Sequence, residues 1–372
     1  MNPERPPIPE ISAEQIDPRA TVSPERRAAQ DARHEAPESM AQKLQLWWKG
    51  DAHTHTQEST RPDYGYAEGV YHEAEILKYY QGLGLEFAAF TEHASKPGSP
   101  SIQSPDSTVS RSLLAEAERI TEINASDSLN TIGLSGVEAN IMFDEEGKPT
   151  LDIPDEVLAK LDLVIASRHA IAREKEPAAV KETLLFAARH PQVDVIGHPD
   201  RYAKKDQEDP QSEYWQEYWA IWPEILTEMK SHNKAFEINM TSQPDKRLVQ
   251  MAVEAGVPLF LDFDAHDFNQ FEWGKSELKD IGEPLKKRWA TNTMTETDEE
   301  EMRAYKQERL THGPGVHALK RLSGWITYLE SLGVTPDRVV NASAKQLITF
   351  LHDTHGRQTK NLETVSERQS RV

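Results

Sequence analysis

Six histidines stand directly after short apolar runs, in the segments Asp51-Ala52-His53-Thr54-His55, Thr91-Glu92-His93, Ser167-Arg168-His169, Gly197-His198-Pro199 and Asp264-Ala265-His266. A glutamate closes another such segment, Gly136-Val137-Glu138. Imidazoles and carboxylates bind metals, and residues two apart on a strand point to the same side. His53 with His55, and Asp264 with His266, therefore form pairs able to grip one ion. The chain has no cysteine, which excludes thiolate zinc sites, iron–sulfur clusters, disulfides and cysteine nucleophiles. The remaining donor set suits zinc, manganese or iron rather than calcium. It is too large for one tetrahedral ion, so two or three divalent ions are expected. A lone histidine of this kind is as a rule a hydrogen-bonded strand-end residue, whereas six in the same phase point to one shared site. The other histidines, His34, His72, His190, His232, His312, His317, His352 and His355, fall in tails, helices or an insertion and stay outside the ligand set.

Groups so far apart in the chain meet only if a repeating architecture carries them to one face. Apolar runs recur at 44–48, 87–90, 131–134, 163–166, 193–196, 235–238 and 258–261, and each reads as a buried strand. Between them, 73–80, 110–124, 178–189 and 245–255 repeat apolar residues at helical spacing. The alternation predicts a parallel α/β fold. About seven units over roughly 300 residues favour a (β/α) barrel, in which all strand ends converge on one face. Residues 1–42 are rich in Pro, Glu, Arg and Ala and read as a polar, disordered tail; 43–352 form the barrel, with an insertion at about 267–312; 353–372 read as a second, frayed polar tail. The net charge of −20 excludes a general nucleic-acid surface. No apolar stretch has the length of a signal peptide or a membrane span, so a cytoplasmic protein is expected.

The ordered series Asp-x-His-x-His, Thr-Glu-His, Gly-x-Glu, Ser-x-His, Gly-His-Pro and Asp-x-His resembles the PHP family, the polymerase and histidinol phosphatase superfamily, over residues 44–351. The resemblance implies a distorted seven-stranded (β/α) barrel with up to three metals at its C-terminal mouth. Carried over motif by motif, His53 and His55 join Asp264 and Glu138 on one metal, and His93 and His266 hold a second. Glu138 bridges to a third metal held by His169 and His198, and Asp51 orients a ligand imidazole. The family supplies a further ligand to the second metal just after the opening pair. Here that loop is slightly longer than the common form, with Asp63 as first choice and Glu68 as second.

Clustered divalent ions lower the pKa of a bound water and clamp phosphoryl oxygens, so the resemblance implies a metal-activated hydroxide attacking phosphorus. Their local positive charge outweighs the global negative charge for a small anionic substrate. Arg201 is the expected phosphate-directed arginine, with Glu138 and Asp264 the other catalytic groups; Arg168 reads better as a surface ion pair. A small phosphomonoester is the expected substrate. A nucleotide phosphodiesterase or oligonucleotide exonuclease, a protein-tyrosine phosphatase, an amidohydrolase and a noncatalytic metal-binding module are the alternatives. The aromatic segment 214–222 reads as core packing, with a stacking wall for substrate as the rival reading. The sequence does not indicate an oligomeric state.

Overall fold

The computed structural model describes residues 38–59, 69, 71–96, 100–126, 128–169, 176–201, 211–266, 288, 293–312, 316–357, 359 and 361. Its strands are β1 (Gly50–Thr54), β2 (Phe87–His93), β3 (Ile132–Phe143), β4 (Pro149–Leu151), β5 (Leu163–Ser167), β6 (Val195–Gly197), β7 (Ala235–Asn239) and β8 (Leu259–Asp262). Among the described residues, β1-β2-β3-β5-β6-β7-β8 form one sheet whose strand pairs are all parallel, and β4 adds antiparallel to β3. The predicted seven-stranded parallel barrel is therefore present.

Helices pack the outside of this sheet: α1 (Glu38–Trp47), α2 (Glu73–Gly82), α3 (Thr108–Ala125), α4 (Asp155–Leu158), α5 (Pro177–Arg189), α6 (Glu213–Ser231), α7 (Lys246–Ala255), α8 (Glu296–His312) and α9 (Val316–Ser331). A last helix, α10 (Ala344–His355), closes one end. Side chains alternate across each strand. Phe87, Ala89, Leu163, Ile165, Val195 and Phe260 pack with Leu347, Phe350 and Leu351 of α10 in an inner cluster. Ala88, Phe90, Val164, Ile196 and Leu261 face the outer helices.

Three sequence expectations need correction. The run at 44–48 is not the first strand but the last turn of α1, which starts inside the expected 1–42 tail, and the buried Trp48 after it. The strand is the polar Gly50–Thr54, fully buried, with the Asp51 carboxylate and the Ala52 amide hydrogen-bonded. Arg357 and Asn361, within the tail expected to fray, are held in place. Arg357 is 6 % exposed and Asn361 3 %, because they serve buried carboxylates. Arg357 pairs with Asp194 at 2.9 Å and donates to the Leu161 and Gln192 carbonyls at 2.7 and 2.6 Å. Asn361 donates to Asp162 at 2.9 Å. Within the expected insertion, α8 is described, and residues 267–287 lie outside the described residues.

The first and last strands meet at both ends of the barrel. At the mouth, the His55 amide donates to the Ala265 carbonyl at 2.8 Å and the Ala265 amide to that of His53 at 3.0 Å. At the base, the Asn341 side chain donates to the Gly50 and Leu261 carbonyls at 3.0 and 2.7 Å. Gly50 leaves no room for a side chain, since a Cβ there would stand 2.3 Å from the Phe87 ring, which is itself fully buried. Gly50→Ala is expected to cost about 1–3 kcal/mol through this overpacking, read as a lower denaturant midpoint with an unchanged m-value.

Candidate metal centre

The parallel register brings the motifs together. His93, last residue of β2, pairs with Glu138 of β3, and Glu138 pairs with Ile165 of β5. Glu138 is not at a strand end as expected but midway along β3, which runs past the mouth to meet β4. His169, His198, Asp264 and His266 follow β5, β6 and β8 within a few residues. Two of these positions carry uncommon backbone for residues other than glycine, His198 with φ 21° and Asp264 with φ 55°. Conformations of this kind cluster where function fixes them.

Glu138 is the hub. Its Oε2 lies 3.3 Å from His53 Nε2, 3.5 Å from His55 Nε2 and 2.9 Å from His93 Nδ1. Its Oε1 lies 3.2 Å from His169 Nε2 and 2.8 Å from His198 Nε2. Asp264 Oδ1 is 3.6 Å from His53 Nε2, 3.4 Å from His55 Nε2 and 3.0 Å from His266 Nε2. Its Oδ2 accepts from Arg201 Nη1 at 3.1 Å, on the rim of the site. Three overlapping groups have ligand atoms within 4.8 Å of one another: His55, His93 and His266; His53, His55, Glu138 and Asp264; His93, Glu138 and His169.

These residues fit divalent ions. His53 Nε2, His55 Nε2 and Glu138 Oε2 are buried without a hydrogen-bond partner, an arrangement that is costly unless something fills the gap between them. Burial, reinforced by His266 and His93, holds His55 well below its usual pKa. Burial likewise lowers His169 to about 4. Both rings are therefore neutral at pH 7, the form in which an imidazole can offer a lone pair to a metal. Burial alone would raise Glu138 and Asp264. The surrounding imidazoles, His169, His53 and His93 for Glu138 and His53, His266 and His55 for Asp264, keep both carboxylates ionised, well below their ordinary range.

An outer layer, missed in the sequence, orients the rings. His53 Nδ1 stands 2.6 Å from Glu237 Oε1, and His55 Nδ1 stands 3.2 Å from Ser59 Oγ, which donates to Glu92. His169 Nδ1 pairs with Asn140 Oδ1. Partners of this sort fix ligand tautomers. The available signal was a polar residue inside a buried strand: Glu237 in β7 and Asn140 in β3.

Asp51 does not meet an imidazole nitrogen. It accepts from Tyr80 Oη at 2.8 Å and from the Phe263 amide at 3.3 Å, and burial raises it to about 6. Arg168 is buried rather than at the surface, its Nε donating to Thr183 Oγ1 at 2.8 Å. Asp63 and Glu68 lie outside the described residues. Tyr218 and Trp222 are core residues, while Trp215 and Trp219 are half-buried, with the Arg247 guanidinium 4.3 Å above the Trp219 ring.

A parallel barrel with imidazoles and carboxylates converging at its mouth is an arrangement suited to metal-dependent hydrolysis. No family model matches the chain. It is 30% identical over 251 residues to a probable phosphatase of Thermoanaerobacter sp. (strain X514), covering 62% of this chain and 86% of that one. It is also 30% identical over 227 residues to the DNA polymerase/3'-5' exonuclease PolX of Bacillus subtilis (strain 168), covering 60% of this chain and 35% of PolX. Among solved structures, a histidinol phosphate phosphatase from Lactococcus lactis, complexed with zinc, L-histidinol and phosphate, aligns with a TM-score of 0.42 at 19% identity, covering 70% of this chain and 93% of that one. The chain belongs to the PHP family of metal-dependent phosphoesterases. No described helix is long and apolar enough to cross a membrane.

Proposed function

We propose that the chain hydrolyses a small phosphomonoester at the barrel mouth. The observation that supports this most is Glu138, whose two oxygens serve different imidazoles while Arg201 stands beside Asp264 on the rim. His53, His55, Asp264 and Glu138 would hold one divalent ion of zinc, manganese or iron type, and His93 and His266 a second. His169 and His198 would hold a third together with Glu138. Such ions, when bound, supply Lewis acidity toward a phosphoryl oxygen and acidify a water. Asp264 Oδ2 fixes the Arg201 guanidinium, whose planar donors match phosphate oxygens. The buried carboxylates stay ionised and accept no proton at neutral pH, which keeps them available as ligands.

The likeness to PolX favours a second reading, an exonuclease or nucleotide phosphodiesterase. The net charge of −20 argues against a long polyanion. The test is phosphate release from sugar, amino-alcohol and nucleotide monoesters by protein loaded with manganese, iron or zinc. Nucleotide diesters and a short oligonucleotide are assayed in parallel. Turnover of monoesters is expected, and His169→Ala should lower it by at least about 100-fold, beyond the cost of losing an outer partner. Turnover confined to diesters would overturn the monoester reading, and loaded protein with no turnover would overturn both.

A further inference from the structure

Glu237 lies in the middle of β7, fully buried, on a strand that supplies none of the proposed ligands. Its oxygens serve two other elements. Oε1 is 2.6 Å from His53 Nδ1 at the end of β1, and Oε2 accepts the backbone amide of His198 after β6. Glu138 faces the same two residues from the other side, with Oε2 3.3 Å from His53 Nε2 and Oε1 2.8 Å from His198 Nε2. The two rings between these carboxylates lie 6.0 Å apart and nearly parallel, at 23°. Asn239 Nδ2, 3.2 Å from Glu237 Oε1 and 3.4 Å from Asp264 Oδ2, steadies the arrangement. His198 also holds its uncommon φ of 21° while its amide is engaged by Glu237.

We propose that Glu237 is a positioning residue that couples two metal positions, one built on His53 and one on His198, by fixing both residues from behind with a single carboxylate. The proposal rests on the metal-centre reading above. A carboxylate only accepts, so it selects the His53 tautomer with the proton on Nδ1 and leaves Nε2 as a ligand. Glutamine has the same shape but one acceptor and one donor. With its amide nitrogen toward His53 it selects the tautomer protonated on Nε2, which cannot ligate. With the nitrogen toward His198, two N–H groups oppose each other. Either way one half of the clamp is lost, and because both contacts come from one planar group, turning it away from one partner also moves it off the other.

The test is titration of the metal-free full chain with manganese or zinc, followed by calorimetry and by metal content after gel filtration. In Glu237→Gln, two of the metal equivalents bound by wild type should each weaken about 10–100-fold, the range for an outer partner. The equivalent held by His93 and His266, which Glu237 does not touch, should keep its affinity. Unchanged affinities, or weakening of a single equivalent, overturn the coupling. A wild-type chain that binds no metal overturns the metal-centre reading itself, which separates the two failures. Circular dichroism of the metal-free variant checks its fold. If the glutamine variant does not fold, Glu237→Asp, with both acceptors on a shorter arm, is expected to show the same paired weakening. Misfolding of both variants would make Glu237 purely structural and overturn the proposal.

Discussion

Glu138→Gln is expected to lose phosphate release by well over about 100-fold, more than the removal of an outer partner costs. Metal should leave with the activity. Two of the three groups of converging ligand atoms contain Glu138, and the third, His55, His93 and His266, does not. Glutamine keeps one acceptor and turns an N–H₂ toward imidazole nitrogens that have to offer lone pairs. Metal content after gel filtration should therefore fall to the ion that His93 and His266 hold. A variant that kept its metal and its turnover would show that Glu138 bridges nothing.

The second large effect is on stability, at the opposite end of the barrel. Arg357→Ala removes the guanidinium that pairs with Asp194, a carboxylate with no exposed surface that also accepts from the Val164 amide, and leaves the Leu161 and Gln192 carbonyls without this donor. Breaking a buried pair from one side costs about 3–5 kcal/mol. Arg357→Lys should recover little, because a point charge cannot reach both carboxylate oxygens and the flanking carbonyls as the fork does. Guanidinium unfolding measures the loss. The folded fraction should retain wild-type turnover, since Asp194 lies before β6 whereas His198 lies after it. Reduced turnover per folded molecule would contradict this separation.

What could be read in the sequence follows from what strands and ligands need locally. Parallel strands are buried on both faces, so Leu163–Ser167 and Leu259–Asp262 announce themselves by apolar content. β1 does not: Gly50-Asp51-Ala52-His53-Thr54 is buried through hydrogen bonds to Tyr80, Phe263 and Asp262, partners that no local pattern shows. The histidines and Asp264 are legible because each stands at or just beyond the end of its strand in a short motif. Glu237 was not, because its partner His53 is 184 residues away. Arg357 sits in a segment whose composition suggests fraying, and composition is silent on whether a polar side chain finds a buried carboxylate. Arg168 shows the converse: an arginine beside a motif histidine turns toward helix α5 instead of the site.

The Asn341 bolt at the base of the barrel also bears on how the molecule is made. Its side chain reaches Gly50 across 291 residues and Leu261 across 80. Contacts so distant in sequence carry a large loop-closure cost and form late. Until residue 341 has been synthesised, β1 and β8 lack the link that joins them at the base and offer free edges to other chains. Nascent chains halted before that point should therefore be the aggregation-prone form of this protein, and a chaperone acting during synthesis would have those two strands to shield.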